Sequence, residues 1–125
     1  MLISLIRQPE NLDSSYGGIP SIPFEPDERA DFYIFDFDFF DDDDETYLDY
    51  FEIEFLAPIN RLCETLLDYG DVDYIDAEHC AKLTEWIVAK LESHNLTDHE
   101  RCFFETLLEY AREAVLLGTG VVVEL

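Results

Sequence analysis

Asp36 and Asp38 flank Phe37 in a DxD arrangement, a pattern in which two carboxylates can hold a divalent cation beside a phosphate. Little supports that chemistry here. There is no glycine-rich phosphate loop, and a chain of 125 residues is too short for the α/β scaffolds that usually carry it. Asp36, Asp38, Asp42 and Asp44 share some of the spacing of a calcium-binding loop. The sixth position of such a loop needs glycine and falls on Asp41, and the twelfth needs a bidentate glutamate and falls on Tyr47. Cys63, His79, Cys80, His94, His99 and Cys102 are zinc-type donors, and His99 and Cys102 stand one helical turn apart, but no CxxC or paired ligand motif accompanies them. A Cys/His hydrolase would need its thiol in an electropositive setting, whereas a strongly acidic chain raises a thiol pKa. The reading is therefore of a non-enzyme with no catalytic residue, metal site or cofactor. What the chain offers is charge.

Thirty acids against seven bases give a formal charge of −23, far beyond the magnitude of about 2 to 8 usual for a small domain. Self-repulsion of that size works against compactness. The sign excludes nucleic acid and anionic membrane as direct partners, because both are bound through Lys and Arg. A cationic protein surface or metal cations remain. Between Arg29 and Lys82 the only Lys or Arg is Arg61, against 17 acids, so more than half of the acids form one central block. Ordinary solvated faces mix the signs, as the later stretch with Lys82, Lys90, Arg101 and Arg112 does.

Tyrosines are interleaved with those acids, and rigid amphipathic rings beside charge are the composition of an interface anchor with a steering field. The candidate partner-binding residues are Asp36, Asp38, Asp41, Asp42, Asp43, Asp44, Glu45, Tyr47, Asp49, Tyr50, Glu52, Asp68, Tyr69, Asp71, Asp73 and Tyr74. Asp36 and Asp38, as alternate strand residues, would stand about 6.6 Å apart, comparable to successive phosphates along a nucleic-acid strand.

The elements that must position these residues follow from periodicity. Apolar content of 48%, with 10 Phe and 7 Tyr, implies a packed fold despite the charge, and the length implies a single domain spanning residues 1–125. Leu2 to Ile6 reads as a short buried strand, and residues 8–31 as a loop-rich segment with most of the prolines. Phe32 to Phe40 alternates with period two and reads as a strand with Asp36 and Asp38 on its outer face, followed by an acidic turn over residues 41–45.

Leu48, Phe51, Phe55, Ile59, Leu62 and Leu66 repeat at helical spacing. That predicts either a helix from about Thr46 to Tyr69 kinked at Pro58 or a break just before Ala57, with Gly70 as its stop. Asp76 is a predicted N-cap for a helix from Ala77 to about His94. Thr97 and Glu100 form a capping box for a further helix to Leu117 that Gly118 ends. Val121 to Leu125 reads as a final strand. These elements predict a small α+β domain with an antiparallel or mixed sheet and about three helices. Three widely spaced cysteines on apolar helical patterns read as buried, reduced thiols. The opening MLISLIRQPENL has neither the basic region and cleavage site of a signal peptide nor the length of a membrane span, so a cytoplasmic protein is expected.

The segment LLDYGDVDYIDAEHCAKLTEWIVAKL, followed by YAREAVLLGTGVVVEL, resembles bacterial immunity proteins that protect against polymorphic or contact-dependent toxins, over residues 55–125. The resemblance implies a cytoplasmic protein that binds one cognate toxin domain and blocks it. Acidic members of that group commonly face basic nuclease toxins. The expectation is an acidic, non-catalytic inhibitor covering a basic toxin or nuclease domain. The alternative is a DNA mimic from a phage or mobile element that blocks a restriction or CRISPR-type nuclease.

Overall fold

Two helices on one face of an antiparallel sheet, with a third helical stretch beside them, make the α+β architecture of this protein. The computed structural model describes residues 2–6, 32–36, 49–68, 70, 72–93 and 95–124. Four strands are described: β1 (Leu2–Ile6), β2 (Phe32–Asp36), β3 (Val72–Asp76) and β4 (Gly120–Glu124). They lie in the order β2-β1-β4-β3, every neighbour antiparallel, so the first and last strands occupy the centre.

The register explains the alternation along the chain. Ile3 pairs with Val123 and Leu5 with Val121, while Val121 pairs with Ile75 across the next ladder. Cross-strand partners share a face, and these five apolar residues are all buried in the core that the helices cover. Val122, on the alternate face beside its partner Tyr74, is buried as well.

The first helical stretch is described from Asp49. Its residues Glu52–Leu56 form a π-helical turn in which the Ala57 N–H donates to the Glu52 carbonyl, and the turn passes directly into α1 (Ala57–Cys63). Pro58, in the first turn of α1, has no N–H to donate. The widened turn takes up the mismatch just ahead of it, so the α-helical segment begins at Ala57 rather than running unbroken.

Two expectations here are corrected. The helix ends at Cys63 and not near Tyr69, because Glu64 takes a left-handed conformation (φ 55°) as its C-cap. Leu66 accordingly lies beyond the helix and is 85% exposed, and Leu67 enters the core in its place. Strand β3 is a further correction, since the sequence pattern places its residues in the acidic block and not in a strand. It forms one edge of the sheet, where charged residues keep an open strand from pairing with other chains.

Helix α2 (Ala77–Glu92) opens at Asp76, whose side chain accepts from the His79 backbone N–H. Helix α3 (Asp98–Leu117) opens with the reciprocal Thr97–Glu100 capping box and closes at Gly118 in the left-handed region (φ 67°). The two pack along one another and onto β1, β3 and β4. Edge-on aromatic contacts link all the helical pieces: Phe51 to Phe55 at 5.1 Å, Phe55 to Phe104 at 5.1 Å and Trp86 to Phe104 at 5.6 Å between ring centroids. One core thus joins the helices to the sheet. Cys63 and Cys80 are buried within it, but Cys102 is exposed, because the inward face of α3 runs through Phe103, Phe104, Leu107, Ala111 and Ala114.

Candidate functional site: an acidic surface with apolar anchors

Asn60, in the middle of α1, organises the loop that follows. Its Oδ1 accepts from the Thr65 hydroxyl and from the Leu67 N–H, both at 2.8 Å, and its Nδ2 donates to the Leu67 carbonyl at 3.0 Å. Asp73 in β3 accepts the Leu66 N–H through Oδ2 and the Tyr74 N–H through Oδ1, each at 2.8 Å. These bonds turn Thr65 and Leu67 inward and leave Glu64, Leu66 and Asp68 exposed. The loop backbone that carries these outward acids is therefore pinned by the Asn60 and Asp73 side chains.

A second exposed group sits on the stretch before α1. Asp49 and Glu52 are exposed one helical turn apart, with Tyr50 (40% exposed) and Ile53 (66% exposed) among them. The Tyr50 ring meets Phe55 edge-on at 5.6 Å, which fixes it against the core. Burial, reinforced by Glu100 and Glu54, raises its hydroxyl pKa. Ile53 and Leu66 were not anticipated as contacts, since helical periodicity is blind to single apolar residues that end up outside. Large apolar residues standing among acids are the core-and-rim composition of a binding surface.

The sheet separates other candidates. Asp36 ends β2 at one edge, while Asp73 and Tyr74 lie in β3 at the other, about 14 Å away across three strand spacings. Residues contiguous in the acidic block thus reach opposite edges. The register nevertheless sets Asp36, Leu2, Glu124 and Val72 in one cross-strand row, which adds Glu124 to the acids at that end of the sheet. Tyr74 is half-buried, and burial first, then Asp76 and Cys80, pushes its hydroxyl up to about 12. Asp73 and Tyr74 therefore do structural work as well. Asp38, Asp41, Asp42, Asp43, Asp44, Glu45, Tyr47, Tyr69 and Asp71 lie outside the described residues.

Lys90 Nζ lies 3.6 Å from Glu54, and the His79 ring reaches Asp76 at 2.8 Å and Glu64 at 3.1 Å. The hydrogen bond that the His79 ring donates to Asp76 raises the His79 pKa against the opposing effect of burial. Burial opposes ionisation of Asp76, but the bonds from the His79 N–H and ring outweigh it and hold the carboxyl below its ordinary value.

Among the described residues, no group of three or more His, Cys, Asp or Glu is placed to hold a metal ion. Of the zinc-type donors, Cys63 and Cys80 are pushed up to about 12, chiefly by burial. His94 and the side chain of His99 lie outside what is described. No described helix is long and apolar enough to cross a membrane. Compared with protein-family models, curated proteins and solved structures, the chain matches none at a significant level.

Proposed function

We propose that this chain is a non-catalytic inhibitor that binds a basic protein and occludes its working surface, acting as an immunity protein against a cognate toxin, with a nuclease toxin the best fit to the charge. The observation that carries this reading is the combination on one scaffold of exposed acids and exposed apolar anchors in two groups: Asp49 and Glu52 with Tyr50 and Ile53, and Glu64 and Asp68 with Leu66. Charge of this density steers a cationic partner and speeds encounter by factors of about ten to a thousand at low salt. The apolar residues then hold what has arrived. The three free thiols fit a reducing cytoplasm.

A second reading, imitation of nucleic acid to block a restriction or CRISPR-type nuclease, is favoured by the acids that the sheet aligns, Asp36 and Glu124 in one row. Both readings are tested by affinity capture from lysate of the source cells, washed at low salt and at about 0.3 M salt, where surface charges are well screened. Stoichiometric recovery of one basic protein supports occlusion, and that protein's own reaction separates the toxin from the defence nuclease. A mixture of basic proteins that all wash off in salt overturns both.

A further inference from the structure

A cleft between α1 and α2 is apolar with cations at its rim. Pro58, Arg61, Leu62 and Trp86 line it, with a volume of about 280 Å³. Lys82 stands one turn before Trp86 and Lys90 one turn after it, on the same stripe of α2. Three of the seven basic residues in a chain of charge −23 therefore gather around its single tryptophan. The Lys90 ammonium sits 5.6 Å from both the Trp86 and the Phe55 ring centroids, a cation–π arrangement that fixes its position.

Lys90 is paired with Glu54, which leaves Arg61 and Lys82, the latter with Glu78 and Glu85 one turn either side of it, as the cations without an ion pair at this cleft among the described residues. Helix α1 contains no acid between Ala57 and Cys63. Glu54 is engaged with Lys90 and Glu64 with His79, so Glu85 is the one acid of α2 within a turn of Trp86 on either side. Arg61 and Lys82 are exposed, and among the described residues neither has an acidic partner.

We infer that the α1–α2 cleft is a binding site for an acidic peptide segment of a partner protein, one that carries an aromatic or aliphatic anchor residue. The volume lies at the low end for ligand pockets and matches a single inserted side chain. Pro58, Leu62 and the Trp86 face receive the apolar anchor, and the Arg61 guanidinium and Lys82 ammonium donate to carboxylates on either side of it. The net charge of the protein repels an acidic segment from a distance. At physiological ionic strength, charges more than about 8 Å away are screened, so at contact the unpaired Arg61 and Lys82 decide. The site would thus reject acidic peptides that lack the anchor, which gain too little at contact. This inference stands apart from the proposed inhibitor function and uses a different surface.

Trp86 is the only tryptophan, so its fluorescence reports on this cleft alone. The test titrates the full chain, at about 0.15 M salt, with a short synthetic peptide of Glu and Gly bearing one central Phe and no Trp or Tyr. A saturable change in Trp86 emission is expected, about tenfold weaker in Arg61→Glu and in Lys82→Glu, the loss of one charge-assisted contact. The same peptide with Lys for Glu, or with Ala for Phe, should give no saturable change. Both substituted positions are exposed, and circular dichroism identical to wild type confirms that each variant folds. If the acidic peptide gives no saturable change, if the Lys peptide does as well, or if both charge-reversal variants bind as wild type does, the inference is overturned.

Discussion

The Nε2 of His79 lies 3.1 Å from the Oε2 of Glu64, so the first turn of α2 is tied to the left-handed residue that ends α1. The other ring nitrogen holds Asp76, the N-cap of the same helix, at 2.8 Å. A protonated imidazole donates to both carboxylates at once; a neutral one can donate to only one.

Stability should therefore depend on pH through this bridge. The His79 pKa is raised on folding, so its contribution is complete below the ordinary value near 6.5 and is lost as pH rises through the raised value. Glu64 is largely exposed, which limits the pair to about 0.2–1 kcal/mol. Thermal melts from pH 5.5 to 8.5 should show this decline in the wild type and a flatter profile in His79→Gln. Asp76 acts with the opposite sign. Its stabilisation is present above the ordinary carboxylate value and is lost as pH falls through the lowered one.

Asn60→Ala removes three hydrogen bonds from the 64–68 loop. At about 1 kcal/mol net for each bond, a loss of about 1–3 kcal/mol in urea denaturation is expected. Hydrogen exchange at Leu67, whose N–H donates to Asn60, should speed up at the same time.

Gly120 is required by close packing. A Cβ there would collide with the Tyr74 ring and lie 2.5 Å from the Ile75 carbonyl oxygen. Gly120→Ala should cost about 1–3 kcal/mol by overpacking. Tyr74→Ala in the same chain should recover only part of that, because the carbonyl clash remains. Denaturation midpoints of the single and double variants check this.

Signals confined to one turn were legible in the sequence. The Asp76 N-cap, the Thr97–Glu100 capping box and the Gly118 stop all sit where residue type alone places them, because a cap is a contact within three or four residues. The end of α1 was not legible. A left-handed Glu64 carries no residue-type signal, whereas Gly70 invites one. Strand β3 was hidden by its own edge position, since Asp73 and Asp76 interrupt the apolar alternation that marks a strand.

The acidic candidates were legible as composition but not as a surface. Sheet order alone sends Asp36 and Asp73 to opposite edges. The basic cleft was concealed for the same reason: Arg61 reads as a lone base within an acidic block until α2 brings Lys82, Trp86 and Lys90 beside it.

The central claim is that the acidic surface captures a basic partner, and association kinetics with the captured protein test it most directly. The variant to compare with wild type carries Asn at Asp41, Asp42, Asp43, Asp44 and Asp49 and Gln at Glu52, measured at low salt and at about 0.3 M salt. The account predicts an association rate about tenfold or more lower for the variant at low salt, a dissociation rate little changed, and a difference that closes as salt rises. Equal association rates for the two proteins at low salt would contradict it and leave the acids as solvated skin.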